Sequence, residues 1–124
     1  MKFRNNQPIY LQIGDFICAN IIMEKWKEKD KIPSIREMAV NVEVNPNTVM
    51  RTYSYLQEKG IIFNKRGIGY FVADNALKTT RKMEKEDFIQ NELPEIFKKM
   101  LILEISVNEF GQLYETYQKR EVLQ

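Results

Sequence analysis

Apolar residues recur at four-residue intervals near the start of the chain, at Ile9, Ile13, Ile17 and Ile21. This spacing places them on one face of an amphipathic helix. Pro8 fits the first helical position, where its missing N–H costs no hydrogen bond. The pattern therefore predicts a first helix that begins at Pro8 and is followed by a charged loop.

Two further helices follow, with only a short turn between them. Ser34 and Glu37 have the spacing of a capping box, in which each side chain accepts a hydrogen bond from the other residue's backbone N–H. Asn45 is a favourable N-cap for the next helix, and Gly60 suits the left-handed residue that often ends one. Helices joined so closely must cross steeply, so we expect a helix-turn-helix over about residues 34–59.

The pattern then changes to β-forming residues. The runs 61–63 and 70–72 consist of Ile, Phe, Tyr and Val and enclose a polar turn that contains glycine. Such runs predict an antiparallel hairpin, here over about residues 61–73. A helix-turn-helix followed directly by a hairpin predicts a winged helix-turn-helix domain over residues 1–75.

Residues 76–124 again show helical spacing. Pro94 should kink a helix or begin a new one, and Ser106 with Glu109 forms a second capping box. Two or three helices in so short a segment cannot enclose their own apolar residues. We expect a helical dimerisation arm that buries these residues against a second copy: Phe88, Leu93, Ile96, Phe97, Met100, Leu103, Phe110 and Leu113. The whole fold is then mainly α with one small β-hairpin.

Composition excludes several classes of protein. The chain has no histidine and one cysteine, Cys18, so it offers neither a His- and Cys-based zinc site nor a Ser–His or Cys–His nucleophile pair. A single cysteine also rules out an intramolecular disulfide, which favours a reducing cytoplasm. No apolar run approaches the roughly 18 residues of a membrane span. We expect no enzyme, no cofactor, no metal and no membrane association.

Charge favours a polyanion as the partner of the first part of the chain. The net charge is only +2, but residues 1–75 hold 11 Lys and Arg against 8 Asp and Glu, while residues 76–124 hold 8 against 9. The first part therefore carries +3 and the second −1. This small asymmetry suits contact between the winged helix and double-stranded DNA.

The second helix of the helix-turn-helix is the candidate recognition element, because its N-terminal residues enter the major groove in such motifs. Asn47, Thr48 and Arg51 lie there, outside the predicted buried stripe. Asparagine pairs well with adenine, arginine with guanine, and threonine with a phosphate or a thymine methyl. Arg36, at the start of the preceding helix, can reach a phosphate or a base. Taken alone, each is better explained as a solvated surface residue.

The hairpin tip carries Lys65, Arg66 and Gly67. Two cations beside a glycine let the backbone approach a phosphate or the minor groove closely. The alternative is a turn that needs glycine and carries cations for solubility. We favour DNA contact because the recognition helix, Arg36 and the hairpin tip would line one face of a winged helix.

These segments resemble the GntR family of bacterial transcriptional regulators. The resemblance is strongest in residues 33–39, 44–49 and 66–72, and residues 8–13 match the start of the family's first helix. Residues 88–106 resemble the short helical tail of the YtrA-like subfamily.

The resemblance implies a homodimeric, sequence-specific DNA-binding regulator, usually a repressor that occupies a two-fold symmetric operator. The family's DNA contacts carry over to Arg36, Asn47, Thr48, Arg51, Arg66 and Gly67. No small-molecule effector is specified, and so short an arm leaves little room for a pocket of the usual ~300–1,000 Å³.

The chain departs from the family pattern at four places. The family often has glycine where this chain has Glu24 and Glu104, and Pro-Gly where it has residues 28–29. Met50 stands where some relatives carry arginine. The departures concern the end of the first helix, a turn in the arm and the base preference.

Two other functions remain as alternatives. A winged helix can act as a protein–protein interaction module, which would need an apolar or acidic recognition face. Arg51, Lys65 and Arg66 argue against that face. A non-specific architectural DNA binder would share the basic face, and competition with random DNA distinguishes it from a specific regulator.

Overall fold

The computed structural model describes residues 7–123 of the chain. The first six residues of the predicted domain 1–75, and Gln124 of the predicted arm, lie outside the described residues. The predicted fold, mainly α with one small β-hairpin, is confirmed. In chain order, the elements are α1 (Ile9–Ile22), α2 (Ile35–Val42), α3 (Pro46–Glu58), β1 (Ile62–Lys65), β2 (Gly69–Val72), α4 (Ala76–Asp87), a π-helical turn (Phe88–Glu92), α5 (Leu93–Leu103) and α6 (Val107–Leu123).

The chain divides into two compact units, Met1–Glu84 and Lys85–Gln124. The predicted domain boundary after residue 75 falls just before α4, which begins in the first unit. That boundary stays a prediction.

Helix α1 packs against α3 and contributes three isoleucines to the first unit's core. Ile13, Ile17 and Ile21 are at most 2% exposed, as their four-residue spacing predicts. Ile9 is the first residue of the helix and is half exposed, so the buried stripe begins one turn later than the sequence pattern does.

The ends of α2 and α3 are fixed by the predicted caps. The Ser34 hydroxyl accepts a 3.1 Å hydrogen bond from the Glu37 N–H, and the Glu37 carboxylate accepts a 2.9 Å bond from the Ser34 N–H. Glu43 ends α2 in the left-handed region with φ 56°. The Asn45 side chain then caps α3 by accepting a 2.7 Å bond from the Asn47 N–H. Because only three residues separate the helices, they form the predicted helix-turn-helix.

The wing is a two-stranded antiparallel hairpin. Ile62 lies opposite Val72, and Lys65 lies opposite Gly69. The Tyr70 ring meets the Tyr53 ring edge-on, at 4.8 Å between centroids. Since Tyr53 lies on α3, this contact packs the wing against the second helix of the motif.

The first turns of α4 complete the core of the first unit. Ala76 is fully buried in the core cluster, and Leu77 and Met83 pack against that cluster. Cys18 is also buried there, and burial raises the pKa of its thiol to about 12. A thiol held in its neutral form acts as a small packing residue.

The second unit is helical throughout its described elements. Pro94 stands in the first turn of α5, directly after the π-helical turn, and the backbone is helical on both sides of this turn. The proline therefore interrupts the α-helical hydrogen bonding without a new cap. The Ser106 hydroxyl accepts a 3.0 Å bond from the Glu109 N–H at the start of α6, which is one of the two bonds of the predicted second capping box. Within residues 85–121, Met100 is the one buried residue.

Three of the departures from the family pattern keep the backbone conformation of glycine. Glu24, Lys29 and Glu104 have φ values of 57°, 69° and 56°. The left-handed region costs a residue with a Cβ roughly 1–2 kcal/mol, so each position carries local strain. The turns expected of the family are therefore formed without the glycines.

Within residues 7–123, no helix combines the length and the apolar character needed to cross a membrane.

Candidate nucleic-acid interface

Helix α3 divides cleanly into a buried face and an exposed face. Val49, Thr52, Tyr53 and Leu56 are completely buried, at spacings of three and four residues. The exposed face lies opposite and is formed by Asn47, Met50, Arg51 and Ser54. The exposure of this face leaves the first turns of α3 accessible to a partner.

Asn47 and Thr48 stand in the first turn of α3. Asn45 accepts the Asn47 N–H, and Pro46 has no N–H to satisfy, so the helix begins without using the Asn47 side chain. That side chain is exposed, while Thr48 is half-buried. The amide of Asn47 therefore keeps both its donor and its acceptor for a ligand.

Arg51 is held by an aromatic ring on α1. Its guanidinium carbon Cζ lies 4.0 Å from the centroid of the Tyr10 ring, within the range of a cation–π contact. The Tyr10 ring in turn meets the Tyr55 ring edge-on at 6.3 Å. The Arg51 side chain is thus drawn to the side of α3 that faces α1.

The starts of α1 and α3 enclose a shallow cavity of about 320 Å³. Three of the predicted DNA-contacting residues are brought together here, and they share the cavity with the first residues of α1. The full lining is Pro8, Ile9, Tyr10, Asn47, Thr48 and Arg51.

Arg36 lies in the first turn of α2 and is exposed. The Ser34–Glu37 capping box beside it fixes this turn, and its hydrogen bonds hold the pKa of the Glu37 carboxyl below its usual value. Glu37 therefore stays ionised beside Arg36 at neutral pH. Arg36 does not line the cavity at the starts of α1 and α3.

The wing tip presents Lys65, Arg66 and Gly67 on an exposed turn. A 2.9 Å hydrogen bond from the Ile68 N–H to the Lys65 carbonyl closes the turn, with Gly67 at φ 78°. This left-handed position favours glycine, as in the third position of a type II turn. The Lys65 ammonium lies 5.2 Å from the centroid of the Phe71 ring. Arg66, the next residue of the turn, makes no such ring contact in the described part of the chain.

Sequence reasoning did not assign Tyr10 any function beyond flanking the first helical stripe. Its contact with Arg51 joins residues 41 positions apart, and no local spacing signals such a pair. Ser54 is exposed on the same face of α3 as Asn47, seven residues earlier.

Comparisons with known proteins assign this winged helix-turn-helix to a family. Residues 9–72 match the model of the bacterial regulatory proteins of the gntR family. This match covers α1 through β2 and more than half of the chain. The protein belongs to the GntR family.

Two curated relatives from Bacillus subtilis (strain 168) extend the match. This GntR-family chain is 45% identical over 75 residues to the HTH-type transcriptional regulator YhcF. The alignment covers 60% of this chain and 62% of YhcF. The chain is 38% identical over 93 residues to the HTH-type transcriptional repressor YtrA. This alignment covers 75% of the chain and 71% of YtrA. The second alignment supports the YtrA-like subfamily. The chain thus spans less than two thirds of the length of YhcF.

Two solved structures resemble the GntR-family fold described above. A transcriptional regulator of the GntR family from Bacteroides thetaiotaomicron is 43% identical, with a TM-score of 0.76 over 92% of this chain and 99% of that one. The DNA-binding domain of AraR, in complex with operator ORX1, is 26% identical, with a TM-score of 0.54 over 58% of this chain and 93% of that one. The relatives and the similar structures named here are transcriptional regulators, and the family match covers the winged helix-turn-helix of this chain.

Proposed function

We propose that this protein is a homodimeric repressor that binds a two-fold symmetric operator in double-stranded DNA. The observation that carries the proposal is the exposed face of α3, whose first turns offer Asn47, Thr48 and Arg51 beside the start of α1. An exposed polar face on the second helix of this motif suits the major groove.

Each candidate residue has a role that its chemistry supports. Asn47 pairs with adenine, and Thr48 contacts a phosphate or a thymine methyl. Arg36 contacts a phosphate or a base from the start of α2. Arg51 contacts DNA at the edge of the same face. Met50, which is 49% exposed, meets apolar base surface such as a thymine methyl.

The wing contributes contacts outside the recognition helix. Lys65 and Arg66 are exposed cations on a tight turn, and Gly67 adds no side chain that would keep the turn from a phosphate. These features suit either the phosphate backbone or the minor groove.

Dimerisation falls to the predicted arm, residues 76–124, with a second copy as the partner. The compact unit Lys85–Gln124 lies within this arm, and most of the large apolar side chains described in it are exposed. Leu101, Ile102 and Val107 are each at least 78% exposed. On α6, one face carries Phe110, Leu113, Tyr114 and Tyr117, which are 40–60% exposed. A symmetric interface between two arms would bury these faces and set two recognition helices on two half-sites.

Repression follows from occupancy of the operator, which blocks transcription. The support is the 38% identity to YtrA, a protein described as a transcriptional repressor. The single cysteine, Cys18, is buried and reduced, which suits a cytoplasmic regulator.

The test is a selection of duplexes from a randomised DNA library with the full chain, followed by the mass of the selected complex. The proposal predicts an inverted repeat with two protomers on each duplex. Enrichment of no sequence, with binding to the pool alone, would indicate a non-specific architectural binder. Failure to bind any duplex would leave the protein–protein module as the better explanation.

A further inference from the structure

The Tyr10 ring that contacts Arg51 is itself held in place by α3. Arg51 Cζ lies 4.0 Å from the Tyr10 ring centroid, and the Tyr55 ring meets the Tyr10 ring edge-on, at 6.3 Å between centroids. The Tyr10 carbonyl oxygen accepts a 2.7 Å hydrogen bond from the hydroxyl of Thr52, which is completely buried. The ring is therefore fixed to α3 through both its side chain and its backbone.

Such a contact orients a guanidinium without consuming its hydrogen-bond donors. The five N–H bonds of arginine lie in the guanidinium plane, whereas a cation–π contact uses the face. Within the described residues, Arg51 has no carboxylate partner to neutralise its charge. The Arg51 side chain on the Tyr10 ring thus keeps its positive charge and its hydrogen-bond donors for a ligand.

The position of Arg51 distinguishes it from the other exposed residues of α3. It lines the cavity with Thr48 and with Pro8, the N-cap of α1, which supplies no side-chain hydrogen bond to that helix. In a helix-turn-helix, the exposed N-terminal face of the recognition helix meets the base edges, and arginines beside that face commonly bind phosphate oxygens. The Tyr10 contact holds the Arg51 guanidinium at the α1 side of α3, beside that face, which suits a phosphate better than a base.

We propose that Arg51 binds a backbone phosphate and that Tyr10 is the residue that positions it, so that base recognition falls to Asn47 and Met50. This inference rests on the proposed function, because it assigns roles within the same DNA-binding face. It also replaces the guanine contact that residue type alone suggests for Arg51.

The experiment measures the binding of full-length variants to two probes, the duplex enriched by the selection and the unselected mixed-sequence pool. Arg51→Ala removes the cation. Tyr10→Phe keeps the aromatic ring, whereas Tyr10→Leu keeps apolar bulk without a ring. Asn47→Ala is the comparison for base recognition, and thermal unfolding monitored by circular dichroism verifies that each variant is folded.

Arg51→Ala should weaken binding to both probes by the same factor and leave the selected sequence unchanged. The slope of log K against log salt should become less negative by about 1 for each protomer. Asn47→Ala should instead relax the preference at one position of each half-site.

Tyr10→Phe should bind like the wild type, and Tyr10→Leu should bind about two- to fivefold more weakly per half-site. In the Arg51→Ala background, Tyr10→Leu should have no further effect, because no guanidinium remains to be positioned.

Three results would overturn the inference. A lost base preference in Arg51→Ala, with unchanged affinity for the pool, would return Arg51 to base recognition. An equal effect of Tyr10→Leu in both backgrounds would mean that Tyr10 acts independently of Arg51. Failure of the wild type to bind either probe would instead reject the proposed function itself.

Discussion

The hydroxyl of Tyr53 donates a 2.6 Å hydrogen bond to the carbonyl oxygen of Pro33, 20 residues earlier in the chain. Tyr53 lies on the buried face of α3, and Pro33 directly precedes the cap of α2. This bond therefore ties the recognition helix to the segment that starts the other helix of the motif. It fixes the two helices at the point where they approach each other.

Tyr53→Phe should lower the free energy of unfolding by about 1–2 kcal/mol, because it leaves the Pro33 carbonyl without its donor. Urea unfolding measures this change, with Tyr114→Phe on the exposed part of α6 as the control. Burial raises the pKa of Tyr53 above its ordinary value of 10.0. The stability gained from the protonated hydroxyl should therefore persist below pH 10 and be lost as the pH rises through the folded-state pKa. Equal stability of Tyr53→Phe and Tyr114→Phe would contradict this account.

The hydroxyl of Thr80 on α4 is buried and has no hydrogen-bond partner in the described part of the chain. Thr80→Val keeps the shape and removes the unsatisfied group, so it should raise the free energy of unfolding by about 1 kcal/mol. Thr79→Val, at the neighbouring and less buried position, is the control and should change stability by only a few tenths of a kcal/mol. A clear loss of stability in Thr80→Val would show that the hydroxyl is satisfied in solution.

Lys29 occupies the left-handed region with φ 69°, and its N–H donates a 2.8 Å bond to the Val72 carbonyl. Lys29→Gly keeps this backbone bond and removes the steric strain, so thermal unfolding should show a gain of about 1 kcal/mol. Ser54→Gly, at an exposed position in the interior of α3, should have the opposite sign, because glycine destabilises a helix interior. The account is wrong if both substitutions destabilise the protein equally.

Arg66→Ala tests the wing. If Arg66 meets a phosphate, its loss should weaken binding to all duplexes alike and reduce the salt slope by about 1 per protomer. If it enters the minor groove, the variant should lose a preference for A·T pairs. Ile68→Ala, which alters the same turn without removing a charge, is the matched control. Unchanged affinity in Arg66→Ala would exclude the wing tip from the DNA contact.

Local signals in the sequence were sufficient for the elements of the DNA-binding unit. The Ser34–Glu37 box and the Asn45 cap act within a few residues, and the structure forms both. The change from helical to β spacing after Gly60 is equally local. These features are decided by the neighbours of each residue, so they could be predicted without any tertiary information.

The arrangement of the candidate site could be predicted only in part. Helical spacing correctly put Asn47 and Arg51 on the exposed face of α3, but the contact of Arg51 with Tyr10 depends on how α1 packs against α3. The buried Thr80 is a second example, since a threonine on a highly charged helix gives no local sign of burial. Such contacts arise from tertiary packing, which one residue type and its spacing do not specify.

Hydrogen–deuterium exchange of the full chain, with and without the selected duplex, tests the central claim most directly. The account predicts that DNA slows exchange in the first turns of α1 and α3 and at the wing tip, around Tyr10, Asn47 and Arg66. Protection confined to α5 and α6, or no protection at all by the duplex, would contradict the assignment of this face to DNA.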